Sequence, residues 1–197
     1  ESVSEDTEGP RNIANTPHEY TIIHTAEELE SLVDLIQKHP EFCFDTETTG
    51  LSPVSSHIVG MSFATEPHKA WYVPFNIGNR GRYADILRPL MENEAITKIG
   101  QNIKFDIMVL RRLGIEVRGR KIDTMLLHYL IDAESRHNMN FLSERYLNYT
   151  PIAIETLIGK GAKQLTMDLV GIDRIAEYAA EDADITLQLK HELSPEV

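Results

Sequence analysis

The sequence predicts an α/β domain, a mixed sheet flanked by helices, and two patterns carry that reading. Three strand-like runs, 41 to 48, 57 to 65 and 69 to 75, are rich in Val, Ile, Phe, Trp and Tyr and are separated by short turn-forming segments containing Gly50, Ser52-Pro53 and Pro67-His68. Connections this short imply an antiparallel meander. Beyond them the apolar spacing becomes helical, and helices alternate with short strands, the pattern of a sheet covered by helices.

Taken in order, residues 1 to 19 are polar, contain Gly9-Pro10 and Thr16-Pro17, and show no apolar periodicity, so they read as a flexible linker or tail before a domain spanning 20 to 197. Tyr20 to His24 looks like a short strand. Thr25 is a good N-cap for a helix carrying Leu29, Leu32, Val33 and Ile36, with Glu28 completing a capping box and Pro40 marking the end. After the meander come a helix over 83 to 92, a strand over 95 to 99, a helix over 102 to 113 and a brief strand near 115 to 117. Helical stretches at 123 to 132, 140 to 147 and 172 to 192 complete the chain, which has no internal repeat and no low-complexity tract.

At 197 residues and 42% hydrophobic, the chain suits one domain with a sizeable core. Its single cysteine, Cys43, lies in the apolar run Phe42-Cys43-Phe44; no internal disulfide can form, and a reducing, cytoplasmic compartment is expected. No apolar stretch is long enough to span a membrane and the N-terminus lacks the features of a signal peptide, so a soluble, non-exported protein without a membrane partner is expected. The missing initiator methionine suggests a fragment of a longer protein. A net charge of −12 argues at first against a polyanionic partner, because affinity for nucleic acid rests largely on Lys and Arg. The charge is uneven, however. Residues 1 to 50 hold twelve acids against two bases, whereas 98 to 121 hold seven bases, Lys98, Lys104, Arg111, Arg112, Arg118, Arg120 and Lys121, against two acids.

Three segments carry chemistry. On a strand, residues i and i+2 share a face, so Asp45 and Glu47 point the same way just before the Thr48-Thr49-Gly50 turn. An isolated D-x-E is usually a solvated strand end, but Phe42, Cys43 and Phe44 mark this strand as central, and buried carboxylates are rare unless paired or metal-bound. Gly100-Gln101-Asn102 closes a strand and opens a helix on which Asn102 and Asp106 lie i and i+4. Asn102 there also reads as a cap, and Asp106 as a first-turn acid favoured by the helix dipole. In the last helix Tyr178 and Asp182 are again i and i+4, among the small residues Ala179, Ala180 and Ala183; Glu181 and Asp184 fall on other faces and are expected to be solvated. Oxygen-only donors select hard cations such as Mg²⁺ or Mn²⁺, and no zinc-like Cys or His cluster competes. The eight histidines are scattered and expected mostly at the surface. Two such ions, roughly 3.5–4 Å apart, can activate water and stabilise the leaving oxygen in a phosphodiester displacement.

Phe-Asp-Thr-Glu-Thr-Thr-Gly-Leu (44 to 51), Gly-Gln-Asn-Ile-Lys-Phe-Asp (100 to 106) and Tyr-Ala-Ala-Glu-Asp-Ala-Asp-Ile-Thr (178 to 186) closely resemble the three motifs of the DEDDy exonucleases. More narrowly, residues 20 to 193, including Gly159-Lys-Gly and Gln164-Leu-Thr, resemble the 3′-to-5′ proofreading domain of bacterial DNA polymerase I. That resemblance implies a ribonuclease-H-like fold with a mixed five-stranded sheet, a three-strand meander plus parallel strands. It implies a two-metal exonuclease using Mg²⁺ or Mn²⁺ that releases nucleoside 5′-monophosphates from a single-stranded or frayed DNA 3′ end. In that scheme Asp45, Glu47 and Asp182 hold the first metal, with Asp45 bridging to a second that Asp106 supports through water, and Tyr178 orients the attacking water. Thr46, Leu51, Gln101, Asn102, Phe105 and Ile154 match substrate-side positions: Leu51 wedges against the terminal base, while Ile154 stands where relatives often carry a stacking aromatic. The implied setting is a monomeric domain with a polymerase domain in cis, excised here from the longer chain. Two alternatives stay open, a ribonuclease D-like RNA exonuclease and a catalytically silent domain that braces a polymerase.

Overall fold

The computed structural model describes residues 9–197, and the part of the expected tail before residue 9 lies outside the described residues. The sheet has six strands, not five. In chain order they are β1 (Glu19–Ile22), β2 (Glu41–Thr48), β3 (Ile58–Glu66), β4 (Lys69–Pro74), β5 (Thr97–Gly100) and β6 (Lys121–Asp123), arranged β1-β4-β3-β2-β5-β6. The β2-β3-β4 meander is antiparallel as expected; β1 joins β4 in parallel, and β5 and β6 follow β2 in parallel. The extra strand at one edge is the short run beginning near Tyr20. At the other edge the pairing falls at Lys121–Asp123 and not at 115 to 117. Ile115 and Val117 alternate as a strand would, but they are buried in the core beside the sheet, and Ile115 and Arg118 donate main-chain N–H bonds to the carbonyls of Leu110 and Met91.

Helices cover both faces. On one side α1 (Ala26–Ile36), α2 (Arg80–Met91) and α3 (Ile103–Arg112) bury Leu29, Leu32, Leu87, Leu90, Val109 and Leu110 against Phe42, Phe44 and Phe63. The start of α1 is capped as the sequence predicts: Thr25 Oγ1 accepts from Glu28 N at 3.1 Å, and the Glu28 carboxylate accepts from His24 N at 2.6 Å. On the other side lies the long helix that closes the domain. α4 (Thr124–Ile131), α5 (Met139–Leu147), α6 (Glu155–Ile158) and α7 (Ile172–Leu193) complete the set. Because side chains alternate along β2, Phe42 and Phe44 face α1 to α3, whereas Cys43 faces α7 and packs with Ala64, Ala70, Ala180 and Ala183. Small residues on both surfaces let α7 lie close to the sheet. Cys43 is a fully buried core residue.

Arg11 docks on the body: its main chain bridges Tyr149, and its guanidinium donates to the Leu147 carbonyl at 2.6 Å. The histidines are not all at the surface, since His128 is fully buried with its ring against His137. Among the described residues, no helix is long and apolar enough to cross a membrane.

One local device shapes the end of β2. Glu47 pairs with Gly60 of β3, and the next pair skips to Thr48 and Ile58, a bulge that re-aims the strand end. The Tyr72 ring fills the space over Gly60; a Cβ there would lie 2.2 Å from the Tyr72 hydroxyl. Gly60→Ala should therefore cost about 1–3 kcal/mol by overpacking. Thermal melts should show a Tm lower by about 2–4 °C per kcal/mol; an unchanged Tm would mean that Tyr72 does not occupy this space.

Candidate active site

The site forms where β2 outruns its neighbour. The last β2–β5 pair is Cys43 with Ile99, and β5 ends at Gly100. Beyond that point one edge of β2 would be open, and Asp106 from α3 closes it. Its Oδ1 accepts from Thr46 N at 3.0 Å and from Thr46 Oγ1 at 2.5 Å, and the residue is only 2% exposed. Asp106 thus serves the strand edge more than the helix dipole.

Asp45 and Glu47 project from the same face of β2 toward α7, where Asp182 meets them. These three carboxylates each offer an oxygen within 4.8 Å of the others. Across the β2–β3 ladder, Ser62 stands opposite Asp45. Glu47 Oε1, Asp182 Oδ1 and Ser62 Oγ are all buried with no hydrogen-bond partner. Buried acceptors without donors are costly. Unsatisfied carboxylate oxygens converging with no Lys or Arg among them fit a hard divalent cation, which takes oxygen ligands. Ser62 went unread in the sequence because its place opposite Asp45 depends on strand register.

The electrostatics follow from burial and like charge. Burial, then the charge of Asp182, pushes the Asp45 pKa well above its ordinary value; for Glu47 the charges after burial are those of Asp45 and Asp182. Asp182 is raised by burial and by Glu181. Asp106 is raised by burial and by Asp45, against the opposing pull of the Thr46 donors. Tyr178, one turn before Asp182, has its phenol pushed far up by burial and then by Asp182, Glu47 and Asp45. It stays protonated at neutral pH.

A cleft of about 510 Å³ opens over these groups, lined by Asp45, Thr46, Glu47, Leu51, Phe105, Ile154, Gln164, Leu165, Tyr178 and Asp182 among others. Leu51 is 96% exposed, free to meet a ligand. The segment from Ile158 to Met167, which includes the Gln164-Leu-Thr motif, forms part of the wall. Of the residues expected at the substrate, Thr46, Leu51, Phe105 and Ile154 line this cleft; Gln101 and Asn102 do not. The Gln101 amide donates to the His137 carbonyl at 2.7 Å and accepts from Thr124 Oγ1. Asn102 sits at the N-cap position of α3 in the left-handed region, φ 54°, which Asn tolerates, but its side chain caps nothing. Asp123 does the capping, accepting from Asn102 N at 2.9 Å and Ile103 N at 3.0 Å.

One expectation fails here. Glu181 and Asp184 are buried, not solvated: Glu181 accepts from Tyr149 Oη and Ile152 N, and Asp184 accepts from Tyr20 Oη, His68 N and Gln188 Nε2. The helix is enclosed on more faces than its wheel suggested. The basic segment 98 to 121 is also less available than its count implies. Lys98 is buried, with Nζ donating to the Asn93 carbonyl, and burial lowers its pKa to about 8. Arg112 donates to the carbonyls of Ser56 and Pro53, holding the loop that carries Leu51.

A mixed sheet with two carboxylates on an inner strand and a third on a covering helix has the ribonuclease-H-like form that the motifs imply, and comparison with known proteins agrees with that fold. The chain matches the 3′-5′ exonuclease family over residues 20–197. It is 36% identical over 200 residues to DNA polymerase I of Pseudomonas aeruginosa, covering 94% of this chain and 22% of that protein. It is 40% identical over 178 residues to DNA polymerase I of Rhizobium leguminosarum, covering 77% of this chain and 17% of that protein. The chain thus spans about a fifth of the length of these relatives. Among solved structures, the Trypanosoma brucei RNase D complex with RNA U12 shares the fold at TM-score 0.74 and 17% identity, covering 88% of this chain and 62% of that one. Brucella melitensis NrnC does so at TM-score 0.69 and 20% identity, covering 92% and 82%. The chain belongs to the 3′-5′ exonuclease family, in the form carried by bacterial DNA polymerase I.

The repulsion among the carboxylates has a measurable sign. A carboxyl whose folded pKa is raised stabilises the fold fully below its unfolded value of about 4, and that contribution is lost as pH rises through the folded value. With chelator at pH 8, Asp182→Asn should melt above the parent chain, by about 2–4 °C per kcal/mol relieved, and the gap should narrow as pH falls. Mn²⁺ should then raise the Tm of the parent by mass action and leave the variant nearly unmoved. A variant less stable than the parent at pH 8 in chelator would contradict the repulsion.

Proposed function

We propose that this domain hydrolyses the terminal phosphodiester of a DNA strand from its 3′ end, releasing nucleoside 5′-monophosphates, as the proofreading module of a DNA polymerase I. The observation that carries this reading is the convergence of Asp45, Glu47 and Asp182 with unpartnered oxygens beneath an open cleft, beside Tyr178 and Asp106, in a chain of this family. Residues 20 to 197 form the exonuclease unit, with the polymerase in cis in the longer protein, working as a monomer in the cytoplasm.

Asp45, Glu47 and Asp182 would hold one divalent ion, Mg²⁺ or Mn²⁺, and Asp45 and Asp106 would serve a second. When bound, such a pair activates a water and neutralises charge on the scissile phosphate. Tyr178 keeps its proton because burial and three nearby carboxylates oppose ionisation. Its phenol is therefore a donor that aims the nucleophile, not a base that deprotonates it. Thr46 holds Asp106 through two hydrogen bonds, so the second carboxylate site is preset by the strand itself. Leu51, Phe105 and Ile154 would grip the terminal nucleotides. Ile154 gives an apolar surface without the stacking that an aromatic supplies, worth about 1–3 kcal/mol per base. Strand binding should be correspondingly loose.

The test is a 5′-labelled single strand with Mg²⁺. A ladder of products shortened from the 3′ end is expected, Asp45→Ala should abolish it, and Tyr178→Phe should slow it about 10²-fold or more. An intact strand, or an Asp45→Ala variant as active as the parent, would refute the reading. Matched DNA and RNA strands decide the substrate: faster loss of DNA is expected, and faster loss of RNA would make this a ribonuclease of the same fold. Calorimetry showing no Mn²⁺ binding would leave only a bracing role.

A further inference from the structure

We propose that Glu181 is a positioning residue that fixes the Ile154 wall of the cleft against the helix carrying Tyr178 and Asp182. It directly precedes Asp182. Successive helical residues turn by about 100°, so the two carboxylates look in different directions: Asp182 toward β2, and Glu181 toward the segment that climbs from α5 to the cleft. Glu181 is fully buried. One carboxylate oxygen accepts from Tyr149 Oη at 2.6 Å and the other from Ile152 N at 2.6 Å. Among the described residues it has no cationic partner within ion-pair distance. A buried carboxylate without a counter-charge is expensive unless strong donors satisfy it, and here both oxygens are spent on one segment.

The Ala153 and Ile154 carbonyls of that segment accept only from the turn that follows, Thr156 to Ile158, so they do not tie it to α7. Residues 150 to 154 belong to no helix or strand. Pro151 has no N–H, and from 151 to 154 the Ile152 N–H is the one main-chain donor with a hydrogen bond among the described residues. Upstream, Thr150 N donates to the Arg11 carbonyl at 2.8 Å, so Arg11 holds the segment from outside while Glu181 holds it from within. Two residues past Ile152, Ile154 lines the cleft, and after it the chain enters the wall that contains Ile158 and Gln164 to Met167. Tyr178, Ile152 and Ile158 pack against one buried cluster that includes Leu157 and Met167. Apolar packing and Arg174, which donates to the Thr156 carbonyl, also tie this wall to α7, but Glu181 is the tie at the main chain leading to Ile154, from the same turn of helix that presents Asp182.

This inference rests on the proposed exonuclease reading, and its test separates the two. The assay is steady-state cleavage of a single-stranded DNA oligonucleotide by the protein, alongside cleavage of a nitrophenyl ester of thymidine 5′-monophosphate, which lacks the following nucleotides. Glu181→Ala should raise KM for the oligonucleotide about tenfold, equivalent to about 1.4 kcal/mol, with kcat and the small-ester KM each within about threefold of the parent. Glu181→Gln can still accept from Ile152 N and can donate to Tyr149 Oη, so it should restore the oligonucleotide KM. Tyr149→Phe, which removes one of the two bonds, should fall between. An unchanged oligonucleotide KM in Glu181→Ala would overturn the proposal. So would a Gln variant as impaired as the Ala variant, which would show action through charge, or an equal loss on both substrates, which would show general damage to the fold. A parent chain that cleaves neither substrate would fell the exonuclease reading instead.

Discussion

Everything in this domain depends on one close approach, the seating of α7 on the end of β2. Ala180 and Ala183 meet Ala64, Ala70 and Cys43, and with no bulky side chain between them, helix and sheet bring Asp182 onto the face that carries Asp45 and Glu47. The approach is costly. At an effective dielectric near 20, two like unit charges about 4 Å apart repel by about 4 kcal/mol, and the whole stability of a domain is about 5–15 kcal/mol. The aromatic and aliphatic core on the opposite face, built on Phe42, Phe44 and Phe63, must hold the sheet rigid against that repulsion. The same rigidity keeps the unpartnered oxygens aimed at one another, so that protons or cations must supply the missing counter-charge.

The second constraint is the unequal length of neighbouring strands. β2 runs on after β5 stops, and the buried Thr46 N–H, left without a strand partner, has to find an acceptor elsewhere. Asp106 supplies it. A carboxylate is thereby drawn to the edge of the same strand whose face bears Asp45 and Glu47, and the fourth acid of the constellation is held by backbone geometry. On the far side of β2 the bulge opposite Gly60 sets the exit of the strand toward Leu51, a loop that Arg112 ties down through the Ser56 and Pro53 carbonyls. Acid placement and ligand-facing loop are consequences of where one strand is paired and where it is not.

This explains what was legible in the sequence and what was not. Period-2 and period-3.6 patterns give the meander, the helices and the shared faces of Asp45 with Glu47 and Tyr178 with Asp182, because those relations are local. The capping of α1 by Thr25 and Glu28 is equally local. Register is not: Ser62 opposite Asp45, Gly60 opposite Glu47 and the edge strand at Lys121–Asp123 depend on how distant segments align. Burial around a helix is not local either. Glu181 and Asp184 looked solvated on a wheel, yet the sheet, the 149 to 152 segment and the Tyr20 strand enclose them. Gln101 and Asn102 were placed at the substrate by resemblance, whereas Thr124, His137 and Asp123 claim the Gln101 amide and the Asn102 main chain, contacts that a motif cannot show.

Charge and cleft together say how such an acidic chain can handle a polyanion. The apolar part of the cleft wall comes from Leu51, Phe105, Ile154, Ile158 and Leu165, with no Lys or Arg among its lining residues. Three of the seven bases between 98 and 121, Lys98, Arg112 and Lys121, are engaged with backbone carbonyls, and Arg118 is paired with Glu116. On the proposed reading, phosphate neutralisation at the reacting end falls to the cations held by the carboxylates, and the apolar wall takes the bases. Contacts of that kind depend on distance and shape more than on net charge. On that reading a net charge of −12 costs long-range attraction without impairing the chemistry at the strand end, and strand grip rests on the spacing of wall and helix that Glu181 is proposed to help set.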